Sequence, residues 1–450
     1  MTTSVPHTVT HHSPQSADGN LPSVTRSESP TPGRFPALGS GPGTALLWAG
    51  SRLALIVMLY AQPKVWSDVG YYFANVDALR QTWLARTLVE YPTPVVWLLR
   101  VPHMVSGSDP AVYLAAFVTL MVLFDAVLTG WLWARGRDVR SSAAVYWMLF
   151  SFLIGPLIFS RFDLVTAVFA GGALLLVSRF PAVSGALVAA GAALKLWPAL
   201  LITALWGERR RRLATWVGFA LTGLTLLVAS LLKGGLARLL SPLAWQSGRG
   251  LQIESVLATP AMLNLALRPG HDEIHFSDYK AFEIFGAGVP TMLMVASAAT
   301  VAGGLAILAL GTRAWLSRGH DLRSAALIMV AVVGIMIVTN KTLSPQYVIW
   351  LGAPLAVLTL VGGGHRTGDR WLLGLGLVLA LCTQVIFPFT YKWIVDVGPG
   401  VGRTLATLLL TVRNAGLVGF TVLAYVLAWS SLGRPHPSPE PLDASTVTAS

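Results

Sequence analysis

The chain has 450 residues, 54% of them hydrophobic and only 12% charged, and that charged share is about half the usual one for a soluble domain. Its net charge is +12 and it has one cysteine, Cys382, so an intrachain disulfide scaffold is excluded. The apolar residues come in blocks long enough to cross a bilayer, which takes about 20 residues, so the excess of Lys and Arg reads as cytoplasmic loops of a membrane protein rather than as a nucleic-acid surface.

Residues 1–43 are rich in Ser, Thr, Pro and His. They are too polar for the apolar region of a signal peptide and are expected to form a disordered cytoplasmic segment. The membrane domain is expected over 44–430, and 431–450 as a disordered cytoplasmic tail. The first crossing is predicted over 44–61, and "VWSDVGYYF" follows it, carrying Asp68. A polar, aromatic segment runs to 108, then a second crossing over 111–134. "RGRDVR" leads into a third crossing that ends near Ser160, and "RFD" separates it from a fourth that ends near Arg179.

The next stretch, "PAVSGALVAAGAALKLWPALLITALW", carries Lys195 and Pro198 in its middle. It precedes four consecutive arginines, Arg209 to Arg212, the strongest cytoplasmic marker in the chain. "RGRDVR" is the next strongest. An even number of crossings must lie between two cytoplasmic markers, so this stretch is predicted to be two short helices meeting at "KLWP". Broken helices of this kind occur where they line a cavity.

The seventh crossing is predicted over 213–232, with a long polar segment over 233–287. The eighth ends near Trp315, the ninth near Thr339, and "NKTLSPQY" opens the tenth. An eleventh precedes "PFTYKWIVDVGPG", and a twelfth ends near Ser430. The expectation is an all-α, polytopic membrane protein of about twelve crossings. Both termini are cytoplasmic, and both long polar segments lie on the external face.

Charge then gathers at external helix ends. Asp68 follows crossing one; Arg161 and Asp163 lie between three and four; Lys195 is at the break. Arg249, Gln252 and Glu254 stand in "GRGLQIES", and Lys341, Gln346 and Tyr347 in "NKTLSPQY". Each has a plain reading. Asp68 is a helix-end charge, Arg161 and Asp163 tie to each other, Lys195 snorkels to the interface, and Arg249 and Glu254 are loop charges. Ser344 and Pro345 read as an N-cap and first helical residue in any case. Convergence of five groups on one face favours a site, because ionisable residues at membrane depth usually line a path or cavity. "HDEIH" pairs His271 with His275 but offers no third ligand in a helical frame, so no metal is expected.

These residues resemble glycosyltransferase family 87, polytopic enzymes of the C-type fold similar to polyprenyl-phosphate-mannose-dependent mannosyltransferases of actinobacteria. The resemblance rests on Asp68, "VEYPTPVVWLL", "RFDLVTAV", "GAALKLWPALL", "RGLQIES" and "NKTLSPQYVIWL", in that order. The family's "YPP" is replaced by Tyr91-Pro92-Thr93-Pro94. The resemblance implies inverting transfer of mannose from a polyprenyl-phosphate carrier to a glycolipid or glycan hydroxyl on the external face of the plasma membrane, with no cofactor and no nucleic acid. It implies Asp68 as the catalytic base. Lys341, Arg249, Lys195 and Arg161 are the candidates for the donor phosphate. Asp163, Gln252, Glu254, Gln346, Tyr347 and Tyr91 are candidates for contacting substrate. Trp66, Tyr71, Tyr72 and Trp245 are aromatics suited to stacking on sugars. A transporter or flippase is the alternative, since broken helices also mark transport paths; a non-catalytic assembly partner is a second. The long external segments and the lack of an inverted repeat weigh against transport.

Overall fold

The structure, a computed structural model, describes residues 41–433 apart from 81–83, 138–141, 207–208, 269, 318, 320, 363–365 and 397. The expected terminal segments thus lie almost wholly outside the described residues. Fifteen α-helices are described. In chain order they are α1 Gly41–Tyr60, α2 Ser67–Asp77, α3 Thr93–Ser106, α4 Pro110–Arg137, α5 Ala143–Ile154, α6 Asp163–Leu176, α7 Pro181–Leu194 and α8 Arg209–Gly248; then α9 Thr259–Leu267, α10 Val289–Leu316, α11 Leu322–Val338, α12 Ile349–Leu360, α13 Thr367–Gln384, α14 Tyr391–Val395 and α15 Val401–Ser431.

Six described helices are long and apolar enough to cross a membrane: α1, α4, α8, α10, the run from α13 through α14, and α15. The remaining predicted crossings are shorter apolar helices, among them α5, α6, α7, α11 and α12. Their shortness has a reason. α6, α11 and α12 are buried around nearly their whole circumference, as expected of helices surrounded by other helices. The long helices surround them and expose leucines and valines outward, such as Leu221, Leu224, Leu305 and Leu308. The protein is therefore a polytopic helical membrane protein.

The predicted break at "KLWP" is present. α7 ends at Leu194, Lys195 is extended at its C-cap (φ −146°, ψ 124°), and a separate 3-10 helix, Trp197–Leu205, follows the break. α7 lies tightly against α8 because two glycines remove the side chains that would separate them. A Cβ on Gly218 would stand 1.9 Å from the Ala182 carbonyl oxygen, and one on Gly185 would stand 2.0 Å from that of Thr215. Small residues at such crossings let backbones meet.

Two features depart from the sequence reading. α8 continues past the expected end at residue 232 to Gly248, changing direction at Gly235, whose φ is +73°. The segment after it is not simply loop. Leu251–Gln252, Asp272–Phe276 and Phe282–Gly286 form β1, β2 and β3, an antiparallel sheet in the order β1-β3-β2. β2 and β3 pair in register from Asp272↔Gly286 to Phe276↔Phe282. This sheet, α9, α14 and the first turns of α15 share a small core of Leu251, Ile253, Met262, Ile284, Ile394 and Leu410. It forms a cap stitched to the membrane domain where the Gln252 amide donates to the Lys341 carbonyl at 3.1 Å. The "HDEIH" pair falls on and beside β2, where His275 Nε2 lies 2.9 Å from a Glu273 carboxylate oxygen.

Candidate active site

α2 is a short amphipathic helix. Val69, Tyr72 and Val76 recur on one face and are buried, the spacing of one helical side. Tyr72 anchors it, with its ring centroid 5.8 Å from that of Phe162 and 5.9 Å from that of Phe117. Asp68 sits one turn before Tyr72, in the first turn of the helix, where a carboxylate is favoured by the helix dipole. It remains 39% exposed.

The partner of Asp68 comes from far along the chain. α5 ends at Gly155, whose φ of +78° suits glycine, and a short 3-10 helix, Gly155–Phe159, carries the chain to Arg161. Arg161 Nη2 lies 3.0 Å from Asp68 Oδ2. Its Nη1 also donates to the carbonyls of Val65 and Ser160, at 3.3 and 3.2 Å. Burial opposes the charge on this guanidinium, but the carboxylates, Asp68 foremost and then Asp163, outweigh it and raise the arginine pKa. Burial, with the negative field of Asp68, lifts the Tyr72 hydroxyl pKa, so Tyr72 is a neutral phenol beside the acid.

Two residues on, Asp163 starts α6 and is 1% exposed. Its Oδ1 accepts from Lys195 Nζ at 2.6 Å and from the Trp350 indole N–H at 2.9 Å. The ammonium lies among three rings, 5.3 Å from the Phe162 centroid, 5.0 Å from Tyr347 and 5.1 Å from Trp350, within cation–π range. Tyr347 stacks on Trp350 at 4.3 Å, and Trp197 lies 4.4 Å from Trp350 on centroids. Tyr91 closes the same wall edge-on to Phe162 at 5.1 Å. Asp68, Arg161, Asp163, Lys195, Tyr91 and Tyr347 therefore form one site of two adjacent ion pairs and an aromatic wall.

Arg249, Lys341 and Gln252 form a second group. Lys341 Nζ donates to the carbonyls of Arg249 and Ser247, at 2.6 and 3.1 Å, and burial lowers its pKa. Gln252 donates its side-chain amide to the Ser344 hydroxyl at 3.4 Å, while its Oε1 is buried without a hydrogen bond. Arg249 Nε is likewise buried without one. A bridge between the groups is Glu90, which sequence reasoning did not single out although it stands in "VEYPTPVVWLL". It accepts from the Tyr71 hydroxyl at 2.9 Å. Burial raises its pKa, and the charges of Arg238 and Arg249 oppose that rise. Gln346 is half-buried beside Tyr347.

Glu254 is placed elsewhere. It is 0% exposed and pairs with Arg413 of α15 at 3.2 Å. Arg413 and Asn414 also donate to the Glu254 backbone carbonyl, at 3.0 and 3.3 Å. Glu254 thus fastens the cap to α15. The predicted Ser344–Pro345 helix start is present, with Ser344 at the N-cap and Pro345 at the first position, although the Ser344 side chain makes no capping bond. Trp350 is the other residue missed; it lies in the quoted "NKTLSPQYVIWL", within an apolar run that gives no signal of a polar partner.

The arrangement offers one half-exposed carboxylate and cations fixed beside it, which suits proton abstraction next to a departing anion. No curated protein matches the chain. Among solved structures it is similar to ArnT from Cupriavidus metallidurans, in the crystal structure bound to undecaprenyl phosphate, at 14% identity and a TM-score of 0.45, over 87% of this chain and 78% of that one. Residues 89–340, more than half of the chain, match glycosyltransferase family 87. That span holds Tyr91, Arg161, Asp163, Lys195 and Arg249 and ends one residue before Lys341, so the site is built largely from the matched region and the chain belongs to glycosyltransferase family 87.

Proposed function

We propose that the protein transfers mannose, with inversion, from a polyprenyl-phosphate carrier to a hydroxyl of a glycolipid or glycan on the external face of the plasma membrane. The observation that carries this reading is the Asp68–Arg161 pair at 3.0 Å, set beside the buried Asp163–Lys195 pair at 2.6 Å. Asp68 accepts the proton of the acceptor hydroxyl. The hydroxyl oxygen forms a bond to the anomeric carbon as the bond from that carbon to the phosphate oxygen breaks. The electron pair leaves with the polyprenyl phosphate, whose growing charge meets Arg161 and Lys195. Arg249 and Lys341 serve the same phosphate from the cap side, and no metal or cofactor is required by this scheme.

The test uses purified protein with polyprenyl-phosphate-mannose, its arabinose counterpart, and a membrane extract as acceptor. Asp68→Asn keeps the shape and removes the proton acceptor. Transfer of mannose by the parent, with a loss of at least about 10²-fold in Asp68→Asn and donor binding retained, is the expected result. Parent turnover of arabinose alone overturns the sugar assignment. Near-parental turnover in Asp68→Asn overturns the base assignment. Movement of intact donor across vesicle membranes without transfer favours the transporter.

A further inference from the structure

We infer that Trp350 is a positioning residue. Through Asp163 it holds the Lys195 ammonium in one orientation, so that Lys195 is presented already aligned to a phosphate oxygen. The inference rests on the glycosyl-transfer reading above for its consequence, but on the geometry alone for its cause.

Lys195 has no regular element to fix it. It stands at the break between α7 and a 3-10 helix, in an extended conformation, on a long flexible stem. Asp163 takes up the charge, yet a single carboxylate oxygen that accepts one bond leaves the carboxylate free to rotate. The Trp350 N–H supplies the second bond to the same oxygen, Oδ1. Trp350 cannot easily turn away, because its indole is packed against Trp197 and stacked on Tyr347. The same indole and the Tyr347 ring lie about the ammonium, at 5.1 and 5.0 Å from their centroids. One side chain therefore fixes both the counter-ion and the cation.

The ammonium has three donors. Among the described residues it uses one, on Asp163, and Lys195 is 12% exposed, which leaves N–H groups for an incoming oxygen. Asp163, at 1% exposure, is shielded from a ligand. Its part is to orient Lys195. A cation aligned before the reaction loses little on reorganisation as charge builds on the leaving oxygen, so the effect of alignment falls on turnover more than on donor binding.

Two measurements on full-length protein in detergent or vesicles test this. The first needs no substrate: acetylation of lysines by an amine-reactive ester, followed by mass spectrometry, with Lys341 as internal reference. Trp350→Phe keeps an aromatic ring and removes the N–H, and Lys195 is expected to label several-fold faster relative to Lys341. Unchanged relative labelling overturns the inference. The second measures transfer from polyprenyl-phosphate-mannose. Trp350→Phe is expected to lower kcat about 10- to 100-fold, the size of a lost hydrogen bond to a charged group, with the donor KM within about two-fold. In a Lys195→Met background the same change should cost nothing further, because its path runs through Lys195. A loss that adds in full to that of Lys195→Met marks a merely structural tryptophan and overturns the inference. A parent that transfers no sugar refutes the glycosyl-transfer reading instead, and the labelling result then decides the positioning role by itself.

Discussion

Asp68 and Glu254 are both acids in segments between crossings, and their neighbours give them different work. Asp68 keeps a face to solvent and a cation at its side. Glu254 is enclosed by Arg413, Asn414 and the cap, and burial, only partly offset by Arg413, raises its carboxyl pKa from 4.5 to about 7. A carboxyl whose folded pKa is raised favours folding in its protonated form. That contribution is fully present below the unfolded value and is lost as pH rises through about 7. Thermal unfolding in detergent should thus show the parent losing stability between pH 5 and 8 relative to Glu254→Gln, which cannot ionise. A difference between the two that stays constant over this range, or runs the other way, would show that Arg413 keeps the carboxylate ionised throughout.

At the scale of elements, the α7–α8 crossing governs where Lys195 stands. The Gly185 and Gly218 contacts bring the two backbones together, and α7 delivers Lys195 directly from its C-terminus. Gly218→Val drives side-chain carbons into the Ala182 carbonyl, which α7 meets only by moving. The expected cost is about 1–3 kcal/mol, typical of overpacking, read as a lower Tm, together with reduced transfer from a displaced Lys195. Gly223→Ala is the control. A Cβ there meets only the Ala189 methyl, at 3.9 Å, an ordinary contact, and should leave both readouts near parental. Equal behaviour of the two variants would mean that this crossing is more pliant than its close contacts suggest. A tie of another kind, the ion pair of Arg52 with Asp125 at 2.7 Å, joins α1 to α4 with both side chains buried. The carboxylate also accepts from the Trp48 and Trp147 indoles.

For the whole molecule, the order of apolar and basic segments makes orientation testable. Arginines cluster near Arg135, Arg211 and Arg313, the bias expected of cytoplasmic ends, so the cap and α2 are expected on the opposite face. In a Cys382→Ala background, cysteines placed at the exposed Ser67 and Ser247 should react with a membrane-impermeant maleimide in intact cells. One placed at Ser317, at the end of α10 beside Arg313, should react only after the membrane is opened. The reverse pattern would put the site on the cytoplasmic face and remove the external acceptor from the proposed reaction.

The sequence by itself determined that the chain is a polytopic helical membrane protein, because apolar length and clustered arginines are local properties that the bilayer reads directly. Even the break at "KLWP" was legible, since Lys195 and Pro198 both oppose a continuous apolar helix. The family resemblance was also present in the order of short motifs. Which charges meet was decided only by the tertiary structure. Arg161 faces Asp68 and Lys195 faces Asp163 because separate helices pack, and Trp350 reaches Asp163 across 187 positions of sequence. The same packing withdrew Glu254 into a pair with Arg413, although its sequence setting looked like that of its neighbours Arg249 and Gln252. The cap sheet was read as loop because its strands are two to five residues long, too short for alternation to outweigh the surrounding polar residues. Hydrophobic length is set residue by residue along the chain, whereas an ion pair needs two residues brought together in space, and only the packed fold supplies that.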